Sequence, residues 1–211
     1  MPKIIKIPET TLRRLPQYLH ILRNYVAKGH KQIEIKALSK NTGIKTDKIK
    51  DDFKFTNYNL LAGKRMDLDK IIGLIEEILN WKDISVAFLA GVGNLGTALL
   101  NYSHFAETGI KIVAGFDKSE EKIGKEINGI KIFPPKKIID LTKRMHTHIG
   151  IITTTEAAAQ KTADMMIKGG ISAIWNFTSA PLRVPDQIIV QDADILSSLA
   201  VLTQKLKKRI D

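Results

Sequence analysis

The 211 residues predict an α/β protein with a mainly parallel sheet, preceded by a small basic domain that is mainly helical. Three observations carry this. Beyond Asp83 short apolar runs alternate with helical stretches; one such run leads directly into the glycine motif at 91–96; and the preceding segment has apolar residues at helical spacing among many lysines.

The front segment opens with PETTLRRLPQYLHILRNYVAK, in which Leu12, Leu15, Leu19, Leu22 and Val26 fall three or four apart, the stripe of an amphipathic helix ending near Gly29. A short helix over Ile35 to Asn41 is closed by Gly43, and the next helix starts with Thr46 or Asp47 as its N-cap. Helix, turn and helix in this order make a helix-turn-helix candidate. YNLLAGKRMDL then reads as a wing or an irregular loop, and LDKIIGLIEEILNW as a linking helix that closes a domain over 1–82.

From Asp83 the runs ISVAFLA, IKIVAGF, IKIF, HIGIIT, ISAIW and QIIVQ read as strands, with helices starting near Asn94, Pro135 and Glu156 between them. Such alternation indicates a parallel sheet covered by helices, here over 83–191. The last segment, 192–211, carries Ile195, Leu199, Leu202 and Leu206 on one helical face, which must bury itself on its own domain or on a second subunit.

Composition narrows the function. A net charge of +11 and a pI near 9.7 suggest a polyanionic partner. Residues 1–83 hold 17 Lys and Arg against 10 Asp and Glu, so the charge is denser in front. Zero cysteines exclude disulfides and thiol catalysis. The longest apolar runs fall well short of the roughly 20 residues of a membrane span, and no leader-like segment follows Met1, so a cytoplasmic protein is expected.

The most specific motif is Gly91-Val92-Gly93-Asn94-Leu95-Gly96 between a strand and a helix. Gly91 permits a tight turn, Gly93 lets backbone approach a pyrophosphate, and Gly96 lets the helix pack close to the strand. Phosphates would sit where free N–H groups begin the helix. Asp117 follows the second strand where an acid accepts bonds from a ribose hydroxyl, which favours NAD(H), and the adjacent Lys118 moderates that preference. A catalytic reading would need a proton donor beside a nicotinamide. His104, His146 and His148 are the titratable candidates, but none lies in a recognisable motif, and surface histidines account for them better. In front, Lys36, Lys40, Lys45, Lys48 and Lys50 oppose only Asp47 between 36 and 50. Lysines there suit phosphate contacts, with Lys48 and Thr46 placed to reach base edges, although a solvated lysine-rich surface is the plainer alternative.

IPETTLRRLPQYLHIL, GVGNLGTALLNY, VAGFD, TTTEAAAQKTAD, ISAIWNFTSAPLRVP and IIVQDADI, in this order and spacing, resemble the Rex family of redox-sensing transcriptional repressors almost end to end. The resemblance implies a winged helix, a Rossmann domain and a C-terminal helix exchanged between the subunits of a homodimer. It implies that NADH and NAD+ compete for one site and that NADH releases the dimer from double-stranded, palindromic operator DNA. It places Gly91, Val92, Gly93, Asn94, Leu95 and Gly96 on the pyrophosphate, Asp117 on the adenosine ribose, and Thr153, Thr154, Asn176 and Phe177 near the cofactor.

The same resemblance implies a switch in which Asp194 bonds alternately to Tyr102 and to a position of the first helix that holds His20 here in place of an arginine. Ile195, beside Asp194, is smaller than the aromatic the family can place against the nicotinamide. For DNA it leaves Arg14, Lys45, Thr46, Lys48, Lys50, Lys64 and Arg65. Where the family shows Arg-Lys-Asp-Leu this chain has Lys50-Asp51-Asp52-Phe53, and the segment around Gly63 has lost other wing glycines. Two alternatives follow: a divergent NAD(H)-sensing partner that has lost operator binding, and, ranked lowest, a small NAD-dependent oxidoreductase or CoA-binding fragment.

Overall fold

The computed structural model describes residues 7–56, 58, 65–193 and 195–210. The chain divides into two compact units, Met1–Asp83 and Ile84–Asp211.

In the front unit the long amphipathic segment is two helices, α1 (Glu9–Leu12) and α2 (Leu15–Ala27). Pro16 explains the break: it has no N–H to give the carbonyl of Leu12, and proline is tolerated only in a helix's first turn, where it sits in α2. Leu15, Tyr18, Leu19 and Leu22 are buried, whereas Val26, at the end of the expected stripe, is exposed. Strand β1 (Gln32–Ile33) leads into α3 (Ile35–Thr42), which ends on Gly43 at φ 72°. Helix α4 (Thr46–Phe53) begins on Thr46 itself; Lys45 is its cap residue, and neither Thr46 nor Asp47 caps it. The turn is instead tied by the Ser39 hydroxyl, which donates to the Ile44 carbonyl, and by the Ile44 N–H, which donates to the Thr42 hydroxyl. Strand β2 (Met66–Asp67) pairs antiparallel with β1, and α5 (Leu68–Ile78) follows, its first turn capped by the Asp67 carboxylate accepting from the Lys70 N–H. Ile33, Leu38, Ile49, Phe53, Ile71 and Ile75 complete the core around Tyr18. Gly63 and Lys64 lie outside the described residues, as does most of the expected wing.

The second unit contains β3 (Ser85–Ala90), α6 (Asn94–Leu100), β4 (Ile110–Phe116), β5 (Glu126–Ile127), β6 (Ile130–Phe133), α7 (Ile138–Met145), β7 (Ile149–Ile152), α8 (Glu156–Gly169), β8 (Ala173–Asn176), β9 (Ile189–Asp192) and α9 (Ile195–Ile210). The sheet order is β5-β6-β4-β3-β7-β8-β9, parallel throughout except for the β5–β6 hairpin. β3 lies between β4 and β7, so successive crossovers leave it on opposite sides and a crevice opens beyond its C-terminal end. Side chains of β3 alternate between two cores, with Phe88 and Ala90 on one face and Ala87 and Leu89 on the other, as a strand covered on both sides requires.

Helix α9 exposes its apolar residues: Leu196, Leu199, Val201, Leu202 and Leu206 are all more than half accessible. No helix of the described residues is long and apolar enough to cross a membrane.

Candidate functional site

The crevice beyond β3 holds a cavity of about 680 Å³. Its floor is the turn after Ala90. Gly91 stands at φ 97°, a left-handed conformation costly to any other residue, and a Cβ there would lie 2.5 Å from the Thr154 nitrogen. Gly96, one turn into α6, packs so closely on the Gly91 carbonyl that a side chain could not be admitted. Gly93 caps α6 and lines the cavity. Thr153 binds the turn to β7, its hydroxyl donating to the Gly91 carbonyl at 2.7 Å and to that of Ala90 at 3.2 Å.

Asp117 follows β4 directly. Its Oδ2 accepts the Val92 N–H at 2.7 Å and its Oδ1 the Ser119 N–H at 2.8 Å, so the carboxylate joins two loops. Lys122 crosses the same junction: its Nζ donates to the Val92 carbonyl at 2.6 Å and lies 3.8 Å from Asp117 Oδ2. Phe116, Pro135, Ile138, Ala158 and Met165 supply an apolar wall, and Lys118, Lys122 and Lys161 supply cations. The arrangement suits a flat aromatic base against the wall, a hydroxyl-bearing sugar at Asp117 and an anion at the glycine turn.

Gly91, Gly93, Asp117, Lys118, Thr153 and Thr154 thus line one cavity, with Val92 bonded to Asp117 beneath it. Asn94 and Leu95 are exposed on the first turn of α6. Asn176 is buried and fully engaged: its amide donates to the Ala180 carbonyl and to Asp192, while its oxygen accepts from the N–H and hydroxyl of Thr178. It organises the loop after β8 and does not line the cavity. Phe177 packs on Trp175 at 4.5 Å between ring centroids, in a row that continues through Phe105 to the half-exposed Tyr102. His104 lies beyond α6 in a 3-10 turn, and His104, His146 and His148 are all exposed and outside the cavity lining. Among the described residues no His, Asp or Glu group could hold a metal. Asp194 lies outside the described residues, and Ile195 opens α9.

Sequence reasoning missed the apolar wall and two of its cations. Ala158, Lys161, Thr162 and Met165 recur at helical spacing on α8, a signal visible only once that helix is placed beside the glycine turn.

The front unit is organised around Asp52, which is fully buried. Its carboxylate accepts from Arg14 Nε and Nη2, both at 2.6 Å, from the Tyr18 hydroxyl at 2.7 Å and from the Thr11 hydroxyl at 2.9 Å. Burial pushes the Asp52 carboxyl up, but the hydrogen bonds of Arg14, Tyr18 and Thr11 and the charge of Arg14 outweigh it, holding the group below the usual carboxylate range. Burial and the bond to Asp52 push the Tyr18 phenol well up. Arg14 therefore anchors α4 to the helices before it, with its side chain 20% exposed.

On α4 the charges pair within the helix: Lys50 with Asp47 at 3.1 Å, and Lys54 with Asp51 at 2.7 Å, where the hydrogen bond and charge of Lys54 hold the Asp51 carboxyl below its ordinary value. Lys45 and Lys48 have no carboxylate within 4 Å among the described residues. Thr46 is half-buried, and Arg65 lies 3.5 Å from Glu34. Among the described residues, the exposed His20 ring has one hydrogen-bond partner, Asn24 of its own helix, at 3.1 Å.

Fold and site define a class: a Rossmann-type nucleotide-binding module joined in one chain to a basic helix-turn-helix module. Comparison with known proteins bears on each part. The family described as "CoA binding domain" matches residues 82–180, and that described as "Putative DNA-binding protein N-terminus" matches residues 6–53. The redox-sensing transcriptional repressor Rex of Bacteroides fragilis is 36% identical over 95% of this chain and 91% of its own. That of Treponema denticola is 35% identical over 93% and 94%. The chain belongs to the Rex family of redox-sensing transcriptional repressors. Among solved structures, RSP, a Rex-family repressor, superposes with a TM-score of 0.85 at 27% identity, over 97% of this chain and 95% of that one. RSP in complex with β-NAD+ and operator DNA gives 0.87 at the same identity, over 97% and 94%.

Proposed function

We propose that this chain is a dimeric repressor that binds operator DNA and is released from it by NADH in competition with NAD+. The observation that carries the proposal is the junction of Gly91 and Asp117 across one cavity, in a chain whose relatives are Rex repressors and whose structural neighbour RSP was solved with β-NADH and with β-NAD+ and operator DNA. The cavity fits the adenosine half of such a nucleotide: an apolar wall for the base, a carboxylate for the ribose, and a turn stripped of side chains for the pyrophosphate. The bound nicotinamide supplies an oxidation state, which is the signal.

The residues act by position. Gly91, Val92, Gly93, Asn94, Leu95 and Gly96 bring backbone N–H groups to the pyrophosphate. Asp117 accepts the ribose hydroxyl, and Lys118, Thr153 and Thr154 border it. Asn176 holds the loop that carries Phe177 towards the nicotinamide end. The exposed apolar face of α9 supports burial on a second subunit by exchange of this helix. Tyr102, Asp194 and His20 form the switch, with Ile195 beside it. NADH releases DNA only through a better fit to the closed dimer than to the DNA-binding one. Lys45, Thr46, Lys48, Lys50, Lys64 and Arg65 face DNA, and Arg14 supports α4 from behind. No substrate is turned over, a reading supported by a cavity lining that, among the described residues, includes no histidine.

A second reading, an NAD(H) sensor without operator binding, is favoured by one observation: Asp47 and Asp51 already take Lys50 and Lys54. Selection of DNA from a random pool, with NAD+ and again with NADH, decides between them. The expected result is a palindrome enriched with NAD+ and lost with NADH; no enrichment in either arm leaves the second reading.

A further inference from the structure

The glycine turn is gripped from one side by the loop after β4. The Lys122 ammonium donates to the Val92 carbonyl at 2.6 Å, and the Val92 N–H donates to Asp117 Oδ2 at 2.7 Å. Both anchors stand on one tied turn: the Ser119 N–H donates to Asp117 Oδ1 at 2.8 Å, and the Lys122 N–H donates to the Ser119 carbonyl at 3.0 Å. Lys122 Nζ lies 3.8 Å from Asp117 Oδ2, too far for a hydrogen bond, so among the described residues its bonded partner is the Val92 carbonyl. In a trans peptide the C=O and N–H point in opposite directions, so holding this carbonyl towards the tied turn directs the Gly93 N–H away from it. That N–H meets no acceptor among the described residues, and Gly93 lines the cavity.

We propose that Lys122 is a positioning residue for the nucleotide: by holding the Val92 carbonyl it keeps the Gly93 N–H presented to the pyrophosphate. Glycine accepts either sign of φ, so nothing in the residue after Val92 opposes rotation of that peptide plane. Turned over, the plane would set a carbonyl oxygen against the phosphates where a donor had stood, replacing an attraction by a repulsion. A cation suits the task, because an ionised donor makes the shorter and stronger bond to a carbonyl. Asp117 fixes the peptide before Val92 and Lys122 the one after it, so the same turn that meets the ribose also orients the backbone that meets the phosphates. The proposal rests on the nucleotide reading of this cavity and adds to it a side chain that acts on the ligand through the backbone.

Val92-Gly93 is the one Val-Gly pair in the sequence, so isotope labels on valine carbonyl carbon and glycine nitrogen give the full chain a single correlation peak in nuclear magnetic resonance, from this peptide. In the ligand-free protein Lys122→Met is expected to move that peak upfield in the carbonyl dimension or to split it, while Lys122→Arg, which keeps a cationic donor, leaves it single and near its wild-type position. In calorimetry Lys122→Met is expected to bind NADH and adenosine 5′-diphosphoribose about tenfold weaker, the scale of one charge-assisted hydrogen bond. Adenosine, which carries no phosphate, should stay within about twofold in a shift titration, and Lys122→Arg should recover NADH affinity to within about threefold. A peak unmoved in Lys122→Met while NADH affinity falls makes Lys122 a direct ligand contact and overturns the proposal. An equal loss of adenosine affinity overturns it as general damage to the site, and so does a Lys122→Arg protein no better than Lys122→Met. Absence of NADH heat in the wild type overturns the nucleotide reading and the proposal with it.

Discussion

Asp52→Ala tests the organisation of the DNA-binding unit most directly. The substitution removes the acceptor of four donors and leaves the Arg14 guanidinium, 20% exposed, beside the buried hydroxyls of Tyr18 and Thr11. Breaking a buried ion pair by removing one partner costs roughly 3–5 kcal/mol; the exposed edge of Arg14 puts this case near ~3 kcal/mol. A unit of this size has a total stability of only about 4–12 kcal/mol, so the loss is a large fraction of it. Trp81 packs on the front core and Trp175 lies in the second unit, so fluorescence in a Trp175→Phe background reports the front unit alone. With a urea m-value of about 1 kcal/mol/M, the midpoint should fall by ~3 M.

Asp52→Asn keeps an acceptor for Tyr18 and Thr11 but loses the charge, and should cost about half as much. The pH dependence has a definite sign. Because the folded Asp52 carboxyl lies below its ordinary value of 3.8, the stabilisation is fully present above that value and disappears as pH falls through the folded one. The gap between wild type and Asp52→Asn should therefore be flat from pH 5 to 7 and close only below pH 4. A urea midpoint for Asp52→Ala within ~1 M of wild type, or a gap that widens on acidification, would refute the assignment of this network as the tie that holds α4.

Other expectations follow from single features. Gly91→Ala places a methyl 2.5 Å from the Thr154 nitrogen at a left-handed φ, a strain of about 1–3 kcal/mol, and should weaken NADH binding by tenfold or more in a calorimetric titration. Lys45→Ala with Lys48→Ala should lower operator affinity across all sequences and reduce the slope of log affinity against log salt by about two, as read by fluorescence anisotropy. Leu202→Asp, on the exposed face of α9, should convert a dimer to a monomer in light scattering while NADH still binds.

Much of the second unit was legible because its signals are local. The strand, the glycine motif and the acid after the second strand lie within 33 residues, and Gly96 is fixed inside that span by the Gly91 carbonyl, whereas Gly91 itself is held against Thr153 and Thr154. The run IKIF was legible as a strand and is β6, but its hairpin partner β5 was not, since the two residues Glu126–Ile127 give no usable period. Nor was the bond between Arg14 and Asp52. The two stand 38 positions apart, and no periodicity links a residue at the start of α2 to one on α4. The apolar wall of the cavity failed for the same reason: Ile138 and Met165 meet only when the sheet has placed α7 and α8 together.

The front unit's charge separates into two roles that a count of lysines merges. Arg14 is spent inward on Asp52, while Lys50 and Lys54 each face an acid of their own helix three residues earlier. Exposed pairs of this kind contribute little to stability, so they lower the potential of α4 without anchoring it. Among the described residues Lys45 and Lys48, at the beginning of the helix, have no carboxylate within 4 Å, and backbone N–H groups there add their own attraction for phosphate. Affinity should therefore concentrate at the end of α4 that follows the Gly43 turn. Asp51 is the lever on this distribution: Asp51→Lys would free Lys54 and add a second cation, and it should strengthen binding to any duplex while steepening its salt dependence.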